Sequence, residues 1–173
     1  MNTATNGVDS AADNAVVNGL FHIAVKTANL EGSLSFYKGV LGLKEIPRPD
    51  FGFPGAWLVC PGLNGVAIVH LYAGGPALGS GGVVHVGSGA IDHISLACSG
   101  FHAFRARFAK RGLLWREYLV PSTTLWQLFV YDPSGVQFEL TFEGTLESGV
   151  PPDMSPGRAY IAGASFFEPA HHA

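Results

Sequence analysis

Residues 20–43 read Leu-Phe-His-Ile-Ala-Val-Lys-Thr-Ala-Asn-Leu-Glu-Gly-Ser-Leu-Ser-Phe-Tyr-Lys-Gly-Val-Leu-Gly-Leu. Phe21, Ile23 and Val25 alternate with His22, Ala24 and Lys26, which predicts a strand over Leu20–Lys26 with one apolar and one polar face. Leu30, Leu34, Tyr37 and Leu41 then recur at helical spacing, with Asn29 positioned as N-cap and Gly42 as the stop, so a helix is expected from Leu30 to Val40. Strands over Leu43–Ile46, Ala56–Cys60 and Val66–Tyr72 complete a β-α-β-β-β order.

The order repeats downstream. A strand is read over Ile91–Ala97, then a helix capped by Ser99 with Phe101, Phe104 and Phe108 on one face and Gly112 at its end. Strands follow over Leu113–Leu119, Leu125–Tyr131 and Val136–Phe142, the last two joined by the turn Asp132-Pro-Ser-Gly135. Seven glycines between Gly74 and Gly89 mark a linker. The division is therefore a disordered leader over 1–19, module one over 20–73, the linker over 74–89, module two over 90–143, and an irregular, proline-rich tail over 144–173. Each module covers one sheet face with its helix, and the two modules are expected to join through the faces left open.

Composition narrows the function. The 173 residues are 47% hydrophobic and 13% charged with a net charge of -3, which describes a globular chain without the basic footprint of a nucleic-acid binder. No run of some 18 apolar residues suggests a membrane span. Cys60 and Cys98 form neither a disulfide framework nor a CxxC site, and the leader is no secretory signal, so a cytoplasmic protein is expected.

Sorting strand residues by parity puts His22, His70, His93 and Glu139 on polar faces. His22 and His70 are 48 residues apart and His93 and Glu139 are 46 apart, as the repeated plan requires if each pair occupies equivalent strands. Three imidazoles and one carboxylate converging on a concave sheet form a ligand set for a divalent transition metal. An ionised Glu139 in a partly dehydrated cavity must also be neutralised by a cation or take up a proton. His85 and His102 fall outside the pattern and are expected in solvent.

Residues 22–43, together with Ile91-Asp-His93-Ile and Asp132-Pro-Ser-Gly-Val-Gln-Phe-Glu139-Leu, resemble the glyoxalase/bleomycin-resistance/extradiol-dioxygenase group, the vicinal oxygen chelate superfamily. The resemblance implies an α+β fold of two βαβββ modules forming a cupped mixed sheet. It implies one divalent ion (Zn, Ni, Co, Mn or Fe) held by His22, His70, His93 and Glu139, with open positions for two adjacent substrate oxygens. His70 stands where glyoxalase I carries a glutamate.

Within the superfamily the nearest activity is lactoylglutathione lyase-like isomerisation of a small substrate through a metal-stabilised enediolate. Glu139 is then the catalytic base, being the single carboxylate of the set. Lys26 lies where a glutathione-binding arginine is found, which adds glutathione as a cosubstrate. Trp57 and Trp126 are candidate substrate-binding residues, with ordinary packing as the competing reading. The alternatives are an Fe(II) extradiol-type dioxygenase and a metal-free drug-binding resistance protein. The resemblance also implies a homodimer.

Overall fold

Helix α1 (Leu30–Gly39) starts where the side chain of Asn29 accepts a hydrogen bond from the Gly32 amide at 2.9 Å. It stops where Gly42 takes φ 77°, a left-handed conformation that costs other residues Cβ strain. The computed structural model describes residues 16–62 and 66–172, so most of the expected leader lies outside the described residues. Strand β1 (Ile23–Lys26) precedes α1, and β2 (Lys44–Ile46), β3 (Gly55–Val59) and β4 (Ala67–Tyr72) follow it. The second half repeats the plan with β5 (Ile94–Cys98), α2 (Phe101–Lys110), β6 (Trp115–Leu119), β7 (Leu125–Tyr131) and β8 (Gln137–Glu143). No helix among the described residues is long and apolar enough to cross a membrane.

The result is an α+β fold of two four-stranded mixed sheets, ordered β1-β4-β3-β2 and β5-β8-β7-β6. In each sheet the first and last strands of the module pair in parallel and the remaining pairs are antiparallel. The parallel registers match: Ala24 lies opposite His70, and Ser95 lies opposite Glu139. His22 and His93 each stand two residues before the first member of these pairs. The two-fold repeat thus extends from element order down to the positions of the four candidate residues.

The modules join through their helix-bearing faces and not, as expected, through the open ones. Phe138 on β8 packs against Tyr37 and Phe36 of α1 with ring centroids 5.7 and 6.4 Å apart. Tyr37 Oη donates to Asp132 Oδ2 at 2.7 Å, and Arg107 Nη1 donates to the Val40 carbonyl at 2.6 Å. One apolar core therefore runs through both halves, with Tyr37, Phe101, Phe108, Phe138 and Phe142 fully buried. Burying each such ring stabilises by about 1.5–3 kcal/mol. The open faces carry His22, Lys26, Ser95 and Thr141, which would lose hydration without gaining partners if pressed together.

Strands β1 and β5 are the outer strands of their sheets at the junction. A cleft of about 630 Å³ separates them, lined by Ile23, Leu96, Phe104 and Leu140. The free thiols of Cys60 and Cys98 line it too. Burial pushes Cys98 up to about 12 and raises Cys60, so both stay protonated.

The tail is largely irregular but firmly docked. Glu147 reaches back 46 residues, its carboxylate accepting from the Gly100 and Phe101 amides at 2.8 Å each. This carboxylate, and not Ser99, caps α2, because Gly100 is the N-cap residue and has no side chain to offer. Ala159 bridges Glu117 on β6 in parallel. The Glu117 carboxylate is fully buried, paired with Arg105 Nε at 3.0 Å and accepting from Trp115 Nε1 at 3.0 Å and the Asp153 amide at 2.9 Å.

Candidate metal centre

On the open face of module two, strand alternation sends Ser95, Glu139 and Thr141 to one side while Leu96, Phe138 and Leu140 enter the core. Ser95 Oγ and Thr141 Oγ1 donate to Glu139 Oε1 at 2.5 and 2.6 Å. The other oxygen, Oε2, faces His93 Nε2 at 3.3 Å. On the far side of the ring, His93 Nδ1 lies 2.7 Å from Asp92 Oδ1. The hydrogen bonds from His93 and from Tyr160 hold Asp92 below the usual carboxylate range, so its oxygen only accepts and Nδ1 carries the hydrogen.

Nε2 then turns its lone pair toward a carboxylate oxygen. Two electron-rich atoms so placed need positive charge between them, either a proton or a metal ion. Atoms each about 2.1 Å from one ion stand roughly 3.0 to 3.4 Å apart at octahedral to tetrahedral angles, and the observed spacing falls in that range. The donor set of this pair fits a divalent transition metal.

Module one supplies the other pair. His70 on β4 stacks on His22 with ring centroids 4.0 Å apart and planes 17° apart, and Trp57 on β3 stacks on its other side at 4.7 Å. Burial, then the His22 ring, then the Arg48 guanidinium lower the pKa of His70, so it stays a neutral imidazole, the ligating form. Arg48 lies 5.0 Å over the rings of both Phe51 and Phe53, and Phe51 adjoins Trp57. An aromatic wall thus flanks this pair.

The four expected ligands are therefore grouped as two pairs, one per module. Among the described residues no three His, Cys, Asp or Glu side chains converge on one point within a single chain. Lys26 is exposed on the open face of β1, two alternations beyond His22. Trp57 lies at the site, stacked on His70. Trp126 does not: it packs edge-on against Phe101 at 5.2 Å, on the opposite face of its sheet from Glu139. Its place is set by pairing with Phe142, whose side chain is in the core. His102, expected in solvent, is partly buried beside Phe101 and Arg105.

Sequence reasoning missed the groups that orient His93 and Glu139. Ser95 and Thr141 share the parity of Glu139 and could have been found from it. Asp92 adjoins His93 in the chain. Tyr160 gave no signal, since its contacts span 68 residues from within an irregular segment.

The sequence profile of the Glyoxalase/Bleomycin resistance protein/Dioxygenase superfamily matches residues 19–140. Over 125 residues the chain is 30% identical to Glyoxylase I 4 of Arabidopsis thaliana, covering 70% of this chain and 68% of that relative. Among solved structures, a glyoxylase/bleomycin resistance protein/dioxygenase domain from Frankia sp. EAN1pec superposes with a TM-score of 0.58 at 20% identity, covering 74% of this chain and 99% of the other. A lactoylglutathione lyase from Agrobacterium tumefaciens superposes with a TM-score of 0.54 at 15% identity, covering 73% and 95%. These structures share the fold. With a profile spanning both modules and a relative at this identity, the chain belongs to the Glyoxalase/Bleomycin resistance protein/Dioxygenase superfamily.

Proposed function

We propose that the protein is a divalent-metal-dependent enzyme of the glyoxalase type that isomerises a small substrate bearing two adjacent oxygens. The observation that carries this reading is the facing of His93 Nε2 and Glu139 Oε2 at 3.3 Å, with the other polar atom of each group already tied down. The bound ion would supply Lewis acidity toward both substrate oxygens. Glu139 is the base: Oε2 takes a proton from the carbon bearing the hydroxyl and returns it to the former carbonyl carbon, while the hydroxyl proton passes from one of the two adjacent oxygens to the other. Ser95 and Thr141 keep the carboxylate aimed while it does so. Trp57 and Phe51 offer an apolar wall to the substrate, and the Lys26 ammonium suits a carboxylate of a thiol cosubstrate such as glutathione.

In this reading the complete centre forms between two copies of the chain, His22 and His70 of one facing His93 and Glu139 of the other, so that a symmetric dimer holds two equivalent sites. The exposed edges of β1 and β5 support it, since each offers unpaired backbone groups beside half of a ligand set. The test is complementation. His22→Ala/His70→Ala and His93→Ala/Glu139→Ala variants should each lose stoichiometric metal by elemental analysis. Refolding the two together should restore one site per heterodimer, about half a site per dimer of the mixture, with isomerisation of thiohemiacetals returning in parallel. A metal-free wild type would end the reading in favour of a binding protein, and oxygen uptake with catechols would replace it by an oxygenase.

A further inference from the structure

Tyr160 lies 20 residues beyond the end of the superfamily match, yet it reaches the candidate centre. Its ring lies flat on Phe129 at 3.6 Å and 5°, and Phe129 in turn meets the His93 ring edge-on at 5.6 Å. Its hydroxyl donates to Asp92 Oδ1 at 3.0 Å, the same oxygen that faces His93 Nδ1. Gln137 Nε2, from a buried side chain on β8, completes the cluster at 3.4 Å from Asp92 Oδ1 and 3.5 Å from Tyr160 Oη.

Asp92 needs this support. Its side chain is about half exposed, at 53%, and a carboxylate so placed exchanges partners with water unless a second donor restrains it. Tyr160 supplies that restraint from a fixed position. Its amide donates to the Glu117 carbonyl at 2.8 Å, the Glu117 amide donates to the Arg158 carbonyl at 2.9 Å, and the Arg158 guanidinium lies 4.1 Å over Trp115. The phenol is therefore ordered before any ligand arrives.

We propose that Tyr160 is a positioning residue of the metal centre, acting through Asp92 to hold the His93 ring with Nδ1 protonated and Nε2 presented to Glu139. The segment after β8 is then a working part of the site. The inference rests on the metal-centre reading for its consequence, but the ring orientation is a property of the metal-free chain as well. Outer partners of metal-binding histidines typically carry a 10- to 100-fold share of metal affinity.

The test uses Tyr160→Phe, which keeps the stacked ring and removes only the hydroxyl, in the full chain. Zinc affinity is read by competition with a chelating dye, the His93 tautomer by imidazole ¹⁵N shifts in the metal-free protein, and folding by the melting temperature. The expected result is zinc binding weakened about tenfold or more, a loss of the single Nδ1–H tautomer, and melting close to that of the wild type. Wild-type zinc affinity together with an unchanged His93 tautomer in the variant would overturn the proposal. Should Tyr160→Phe melt early, Asp92→Ala removes the shared acceptor from the other end of the bond, and an unchanged tautomer there also overturns it. A wild type that binds no zinc ends the metal-centre reading instead, and the tautomer comparison then decides the Tyr160 inference alone.

Discussion

Tyr37 and Asp132, 95 residues apart, share a buried 2.7 Å hydrogen bond that ties the first helix to the turn between β7 and β8. Burial of Asp132 outweighs that bond and the amide donors of Val136 and Ser134, raising its pKa to about 6 from 3.8. Its own burial, and then the same contact, push the Tyr37 hydroxyl well above its ordinary range.

The folded chain therefore binds this proton more tightly than the unfolded chain. Stability from Asp132 is fully present below about pH 4 and is lost as pH rises through about 6, a span on the order of 3 kcal/mol. Asp132→Asn should remove that component. Urea unfolding of both proteins from pH 4 to pH 7 checks it: the difference between them must change with pH, and a constant difference refutes the shift.

Glu117→Ala should destabilise by about 3 kcal/mol, because it strands the Arg105 guanidinium and the Asp153 amide at once. Limited proteolysis should then cut first within 150–160, the stretch that Glu117 holds down.

Glu139→Gln should fold normally, since glutamine can still accept from Ser95 and Thr141. Turnover of a thiohemiacetal should fall roughly 10²- to 10⁴-fold with loss of the base. Steady-state kinetics at saturating metal separates this from weaker metal binding.

Glu147→Ala should cost about 1 kcal/mol, the usual value of an N-cap. Amide hydrogen exchange should quicken at Gly100 and Phe101 before it does so elsewhere in α2.

Both module plans and the sharing of faces by His22 with His70 and by His93 with Glu139 were legible because they depend on short-range periodicity. The element ends moved by up to three residues. The first strand begins at Ile23 and not Leu20, because its ladder with β4 starts only at Val69. For Trp126 the sequence left substrate contact and ordinary packing open, because its face depends on antiparallel register. That register aligns Phe129 with Glu139 and so turns Trp126 the other way. The union of the modules through their helix faces was not legible, since α1 has a second apolar surface that meets a strand 100 residues later. Glu147 and Tyr160 act over 46 and 68 residues from an irregular segment, where no period exists to read.

The borrowed cap on α2 also bears on how the chain is made. A helix beginning at Phe101 waits for a carboxylate 46 residues downstream, and β5 waits for β8 as its ladder partner. During synthesis every strand partner of the first module is present once Tyr72 has emerged, whereas the cap of α2 is present only after Glu147 has left the ribosome. The nascent protein therefore passes through a stage with half of its symmetry built and the bare face of α1 awaiting its other half.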